Sequence, residues 1–361
     1  MRAYIESNPP INILAYLAGI FKSGNNFSDV LLTSRGRDAI QLAFNYLELK
    51  NDDTVLLPAL TCDTVTGIFS GNCSEIFYDL NEDYSIDISA LEQILSKNRE
   101  IKLVYVIHYF GFIQKNIQQI SSLCKKYDIT LIEDHAHSAL SEYRRDFSDI
   151  QIYSFRKLFH TADGGGIRMG TGKKKINYKF KLKNKIIANI KGFLIAVKRI
   201  GSLYSKKIRS AFGKVIQSEI DEMAEGNTKI DPLPVSAFGR GIISSADMDK
   251  ICEVRRRLYV KWNEIIDSTP FDPVFPDLDS ETVPFGFPIR MQNNIEVADH
   301  FKAFNIFLKI HWLTLPSGTK ETCPISHHLA GTSLTLPIYP GLKESQMYFI
   351  KDQLVKFGIP L

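Results

Sequence analysis

Between Asp29 and Phe155, short apolar runs alternate with longer segments whose apolar residues recur every three or four positions. "DVLLTS", "DTVLLPAL", "SEIFYDL", "KLVYVIHYFG", "ITLIEDHAHS" and "IQIYSF" read as strands, rich in β-branched and aromatic residues. "RDAIQLAFNYLELK" and "NIQQISSLCKKYD" read as amphipathic helices. That order predicts an α/β architecture, a mostly parallel sheet sandwiched by helices. Its functional groups belong at the carboxyl ends of the strands.

The chain has 361 residues, long for a single core. The loop "GNTKIDPLPVS" reads as a boundary, and the pattern changes beyond it. A charged helix, "SADMDKICEVRRRLYVKWNEIID", carries Ile251, Val254, Leu258 and Trp262 on its apolar side. Strand-like "VPFGFPIRM" and "FKAFNIFLKIHW" and a last amphipathic helix, "KESQMYFIKDQLVKFG", follow. We expect a large domain over 1–244 and a smaller C-terminal α+β domain over 245–361.

Three strand exits carry complementary chemistry. In "LLTSRGRDAI" Gly36 stands where a strand turns into a helix, so backbone amides at the helix start can hold a phosphate. In "LIEDHAHSA" two carboxylates and two histidines follow an apolar strand. A metal site there lacks an evident third ligand and matches no standard zinc spacing, so no metal is expected. In "YSFRKLFHTADGGG" Ser154 offers a hydroxyl and Lys157 an amine. Arg156 is a neighbouring cation, and the glycine run lets the backbone fold closely around a bound group. Each has a plain structural reading on its own: a steric glycine, a capping aspartate, a surface lysine. Together a phosphate cradle, an aspartate and a lysine on successive parallel strands are what pyridoxal phosphate needs.

Charge is unevenly spread. Between Gly164 and Ser218 there are 15 Lys and Arg and no Asp or Glu, leaving 29 basic against 40 acidic residues elsewhere. A basic segment of this kind, about 171–215, suits an anionic partner, a polyphosphate-bearing substrate or the acidic body of a second subunit. "NKIIANIKGFLIAVKRIGSLY" places Ile186, Ile187, Ile190, Leu194 and Val197 on one helical stripe with lysines opposite. It reads as a cover over the active site or dimer interface in preference to a helix on anionic lipid. Five scattered cysteines without metal-ligand spacing fit free thiols in a reducing compartment. Glu6 and two prolines before the apolar run Ile11–Phe21 make a poor secretory signal. The expected location is cytoplasmic, and nucleic acid is not an expected partner.

These residues resemble the DegT/DnrJ/EryC1/StrS aminotransferases, fold-type-I pyridoxal phosphate enzymes acting mostly on keto-sugar nucleotides. The resemblance covers most of residues 30–170, with weaker echoes in "RRRLYVKWNEII", "HWLTLP" and "LTLPIYPGL". "LIEDHAHSAL" is similar to the family's Asp-x-x-Gln/His element, which implies that Asp134 meets the pyridine nitrogen and His137 the ring hydroxyl. "SRGRDAI" is similar to the Gly-Thr-x-Ala phosphate loop, implying Gly36 and Arg37 as phosphate ligands. "SFRKLFHTADGGG" is similar to the Ser-Phe…Lys…Gly-Glu-Gly-Gly element. With Asp163 at the acidic position, the Schiff-base lysine falls on Lys157 and the phosphate-binding serine on Ser154.

The chain departs from the family pattern in four places. Serine and lysine are three positions apart where the family usually has five. Arg37 replaces the loop threonine, and Cys62 stands at the position of the ring-stacking aromatic, with Tyr109 or Phe110 as substitutes. The asparagine-containing loop that relatives lend to a neighbouring subunit has no counterpart. The resemblance implies an aminotransferase with pyridoxal 5'-phosphate, glutamate as donor, a keto-sugar nucleotide as acceptor, and a homodimer. A sugar dehydratase of the same family, which has histidine at the lysine position, and a non-catalytic relative acting through the basic segment are the alternatives.

Overall fold

The computed structural model describes residues 5–6, 13–141, 147–204 and 231–361. Its largest sheet is built from Leu31–Thr33 (β2), Thr54–Pro58 (β3), Ser74–Tyr78 (β4), Ile101–Ile107 (β5), Thr130–Asp134 (β6), Ile150–Tyr153 (β7) and Gly165–Met169 (β8), following the short strand Ile5–Glu6 (β1). The spatial order is β2-β8-β7-β6-β5-β3-β4. Every neighbouring pair from β7 to β4 is parallel, and β8 runs antiparallel to both β7 and β2. All five residues of β3 and six of the seven in β5 are buried, as expected for strands covered on both faces. The α/β reading therefore holds, with helices Gly36–Tyr46 (α2), Asp63–Phe69 (α3), Ile88–Lys97 (α4) and Ile117–Tyr127 (α5) between the strands.

The glycine run differs from its reading as a loop. Gly165 and Gly166 open β8, whose other neighbour is too close for side chains. A Cβ on Gly165 would lie 2.2 Å from the Arg35 carbonyl carbon and 2.5 Å from the Gly36 nitrogen. Only a bare backbone fits under the β2–α2 turn, so glycine here shapes that turn from below.

A second core gathers Leu258, Tyr259 and Trp262 of Met248–Ile266 (α8) with Phe287 and Ile289 of Phe287–Arg290 (β9) and Met347, Ile350 and Leu354 of Glu344–Phe357 (α11). Between these elements lie Asn294–Lys302 (α9), Ile306–Phe307 (β10), Pro324–Thr332 (α10) and Ser333–Leu336 (β11). β11 pairs antiparallel with β9, and β1 reaches across to pair with β10, burying Ile5 in this second core. "FKAFNIFLKIHW" is strand for only two residues, because its start ends α9 and Asn305 turns in the left-handed region at φ 58°. On α8, Leu258 and Trp262 are buried while Ile251 and Val254 are half-buried, and Arg255 is fully buried.

The apolar stripe of the lysine-rich helix, Leu182–Tyr204 (α6), faces away from the body of this chain. Asn184, Ala188, Gly192 and Ala196 face the body, and Ile186, Ile187, Ile190 and Leu194 face solvent. Close approach of neighbouring side chains selects glycine at 192: a Cβ there would meet the Tyr16 hydroxyl at 2.8 Å and Ser236 Oγ at 3.0 Å. Ile13–Ala18 (α1) and Ala237–Ser244 (α7) flank it. The lysine-rich stretch beyond Tyr204 lies outside the described residues, as does the first part of the "GNTKIDPLPVS" boundary loop.

Candidate active site

Lys157 ends a single 3-10 turn, Phe155–Lys157, that begins where β7 stops. The Lys157 amide donates to the Ser154 carbonyl at 3.1 Å and the Arg156 amide to Gly164 at 3.1 Å, so the chain doubles back within three residues. This tight turn is how a serine–lysine separation of three is absorbed. The Lys157 amine comes to 3.1 Å from His137 Nε2. Burial pushes its pKa below the usual lysine range and Arg156 adds to that, while Cys62 and Asp134 pull it back up.

His137 Nδ1 accepts a long hydrogen bond of 3.4 Å from the Phe110 amide. Burial lowers the pKa of the ring, and Lys157, His311 and Lys309 lower it further. The Lys157 amine and His137 Nε2 are at hydrogen-bond distance, and the lowered lysine pKa favours the amine form in which nitrogen is nucleophilic.

Asp134 is buried at the end of β6. Its Oδ1 accepts from the Ala136 amide at 2.7 Å and its Oδ2 from the Tyr105 hydroxyl at 2.7 Å. Burial raises its pKa, and Lys157, Tyr105 and Ala136 pull it down. Glu133, one residue earlier, points to the opposite face. There it accepts at 2.9 Å from His108 Nε2, and against the upward push of burial that hydrogen bond holds it down at about 2. His108, Glu133 and His135 bring three ligand-type atoms within 4.8 Å of one another, His108 being the third group that the spacing in "LIEDHAH" did not reveal. The Gln114 amide donates to His108 Nδ1 at 3.1 Å, so the His108 proton sits on Nε2 and is given to Glu133. The arrangement is that of a hydrogen-bonded pair.

Gly36 is the first residue of α2 and lies beside Ser154: a Cβ built on it would sit 3.6 Å from Ser154 Cβ and 3.8 Å from its Oγ. That is a cradle which a side chain would fill, floored by amides at a helix start and walled by a buried hydroxyl. Arg37 follows, half-buried, beside Asp38, which accepts from the Arg35 amide at 2.8 Å and the Leu233 amide at 3.0 Å. Cys62 caps the start of α3, near enough to Lys157 to influence its charge. Tyr109 is buried and donates to the Leu60 carbonyl at 2.7 Å, while the Phe110 ring lies 6.1 Å from His137. The structure brings Lys157, Asp134 and His137 together at the ends of β6 and β7, with Gly36 and Ser154 forming one wall.

Several groups at the site went unread in the sequence. Phe285 stacks on His137 at 4.2 Å and 2°, and Trp312 lies nearly parallel to the same ring at 5.9 Å. His311 meets it edge-on at 5.1 Å. All three come from the C-terminal part of the chain, more than a hundred residues away, and only "HWLTLP" hinted at them. Tyr105 had a signal: a lone phenol in an aliphatic buried strand needs a partner for its hydroxyl.

The sequence of residues 24–182 matches the model of the DegT/DnrJ/EryC1/StrS aminotransferase family. Over these residues the chain is similar to that family. The UDP-4-amino-4,6-dideoxy-N-acetyl-β-L-altrosamine transaminase of Campylobacter jejuni is 32% identical over 136 residues, which is 36% of either chain. GDP-perosamine synthase of Escherichia coli O157:H7 is 24% identical over 93% of this chain and 88% of its own. In three dimensions a candidate sugar aminotransferase of Streptococcus pneumoniae, solved in its PLP form, superposes with a TM-score of 0.69 at 14% identity, covering 98% of each chain. This is the fold-type-I aminotransferase architecture. The family's cofactor, pyridoxal phosphate, fits the donor set on this chain: an amine, a buried carboxylate, and a cradle of hydroxyl and amides.

Proposed function

We propose that this chain is a working pyridoxal phosphate-dependent aminotransferase that moves an amino group from glutamate to a keto-sugar nucleotide or related keto compound, in glycan or secondary-metabolite biosynthesis. The observation that carries the reading is the amine of Lys157, its pKa lowered by burial, set 3.1 Å from His137 Nε2 beside the buried Asp134. Bound pyridoxal phosphate supplies an electron sink for the carbanion left when the substrate gives up its Cα proton. Asp134 would hold a proton on the pyridine nitrogen. Lys157 would anchor the cofactor and, once the amino donor had displaced it, would take the Cα proton and return it, a general acid–base role suited to an amine whose pKa is lowered. Ser154, Gly36 and Arg37 would hold the phosphate and His137 would meet the ring hydroxyl, with Cys62, Phe110 and Tyr109 beside the ring.

The acceptor class is supported by the relatives' names, a UDP-sugar transaminase and GDP-perosamine synthase. A cleft of about 1000 Å³ lined by Tyr84, Tyr109, Gln114 and Phe275 has Asp83, Asp277, Asp279 and Glu281 on its walls. Such walls suit a diphosphate poorly, and we assign the nucleotide elsewhere. The active enzyme is taken as a homodimer with domains over 1–244 and 245–361, and as cytoplasmic. Five free cysteines support the last assignment, and no described helix is long and apolar enough to cross a membrane.

The test is an absorption spectrum of purified protein with pyridoxal phosphate, before and after glutamate. We expect a visible band that glutamate bleaches and that borohydride fixes to Lys157 in peptide maps. A colourless protein that takes up no cofactor overturns the reading. Deoxy-sugar formation without amino uptake from glutamate replaces it with the dehydratase.

A further inference from the structure

α6 is held to the body by its small side and by specific polar contacts, so its outward face is fixed. Asn184 Nδ2 donates to the Pro232 carbonyl at 3.3 Å, and Asn189 Oδ1 accepts from the Ala237 amide at 2.8 Å. What this orientation turns outward is apolar: Leu182 is 74% exposed, Ile190 55% and Phe193 42%, with Ile186, Ile187 and Leu194 beside them. α1 packs against α6, and its surroundings add Leu14, 75% exposed, and Phe21, 90% exposed, with Ile20 between. Soluble proteins scatter such residues singly; gathered on neighbouring elements they mark a docking surface.

Charge identifies the occupant. Lys183 and Lys185 are exposed on the same helix, and the stretch Gly164–Ser218 holds 15 basic residues and no acidic one. A second copy on this face would have to offer apolar groups ringed by acidic ones, a case that sedimentation velocity of the lipid-free protein reads. An anionic bilayer satisfies both features at once, its acyl boundary taking the apolar face and its headgroups the lysines. We propose that α6, with the Ile20–Phe21 turn, docks this enzyme on the surface of an anionic lipid bilayer, lying in the interface and not across it.

The test is sedimentation of the full chain with vesicles of phosphatidylglycerol and phosphatidylethanolamine, against vesicles of phosphatidylcholine. Sedimentation velocity of the lipid-free protein runs in parallel. Binding to the anionic vesicles is expected, weakening steeply with salt. Replacing the exposed Lys181, Lys183 and Lys185 by Gln is expected to weaken it roughly 100-fold, at about 1 kcal/mol per surface lysine. The double change Ile190→Asp and Phe193→Asp is expected to abolish it while circular dichroism stays native, since both residues are exposed. Equal binding to both vesicle types, or none to either, overturns the proposal. So does an oligomer dissolved by the Ile190→Asp/Phe193→Asp change in a protein that ignores vesicles, because the face then covers a second copy.

Discussion

The Tyr105 hydroxyl donates to Asp134 Oδ2 at 2.7 Å, from the middle of β5 to the end of β6. Both groups are buried, and the hydrogen bond favours the charged carboxylate that burial opposes. On the proposed function Tyr105 is therefore a positioning residue: it aims Asp134 and opposes the upward push of burial on its pKa. In Tyr105→Phe the Asp134 pKa is expected to rise further, which would weaken the group proposed to meet the pyridine nitrogen. We expect cofactor affinity to fall about 5- to 20-fold, the worth of one hydrogen bond to a charged group, and the pH midpoint of the visible band to move. Unchanged affinity and midpoint in a folded variant would show that Tyr105 only fills space.

Gly36, at the proposed phosphate cradle, and Gly165, beneath the β2–α2 turn, separate binding from folding. A Cβ at Gly36 meets its neighbours at 3.5 to 3.8 Å, ordinary contact distance, so Gly36→Ala is expected to fold with little loss of stability. The same methyl occupies the space beside Ser154 Oγ, and cofactor affinity is expected to fall by an order of magnitude or more. At Gly165 the clash is with backbone at 2.2 Å, and Gly165→Ala must displace the β2–α2 turn, costing about 1–3 kcal/mol or more. Denaturant titration and cofactor titration of the two variants separate the effects. A Gly36→Ala protein that binds the cofactor normally removes Gly36 from the phosphate site.

The strand–helix rhythm was legible because strands buried on both faces must be apolar throughout, and β3 and β5 are. The cluster of Lys157, Asp134, Gly36 and Ser154 was legible because each residue sits at a strand exit, where order in sequence maps onto order in the sheet. β8 was not, since glycines carry no side-chain period and its place is set by the Arg35–Gly36 peptide beneath which it slides. Periodicity located α6 and its stripe but not which side faced in; Gly192 and Ala196, the residues with least to bury, decided it by allowing close approach. Phe285, His311 and Trp312 reach His137 through contacts that no local pattern encodes.

Asp163 makes stability depend on pH in an uncommon direction. Its carboxylate accepts from the Ser236 amide at 2.6 Å, the Ser236 hydroxyl at 2.8 Å and Tyr16 at 3.3 Å, tying α1 and the start of α7 to the loop before β8. Burial nevertheless pushes its pKa from 3.8 up to about 6. Between those values the folded chain keeps a proton that the unfolded chain has released, so stability falls as pH rises from about 4 to 6. The rise from 3.8 to about 6 corresponds to about 3 kcal/mol. Asp163→Asn is expected to be less stable than the parent at pH 4, with the gap narrowing by about that amount at pH 7. Parallel stability curves in urea for the two proteins at both pH values would falsify this assignment.

Arg255 ties the two cores together beside the lysine turn. Its guanidinium donates to the carbonyls of Leu158, Pro284 and Phe285, each at 3.2 Å, with no carboxylate among these partners. Burial lowers its pKa to about 10, so it stays charged at neutral pH and bears the cost of desolvation. Arg255→Met removes that cost but leaves three carbonyls without this donor, two opposing terms of a few kcal/mol. Arg255→Lys keeps the buried charge and loses the planar fork that reaches all three. The conservative change is therefore expected to be the worse one, less stable than Arg255→Met by about 1–3 kcal/mol. Because Phe285 underlies His137, both variants are also expected to shift the visible band of the bound cofactor. Thermal unfolding that ranks Arg255→Lys above Arg255→Met would mean the three carbonyls are satisfied without the fork.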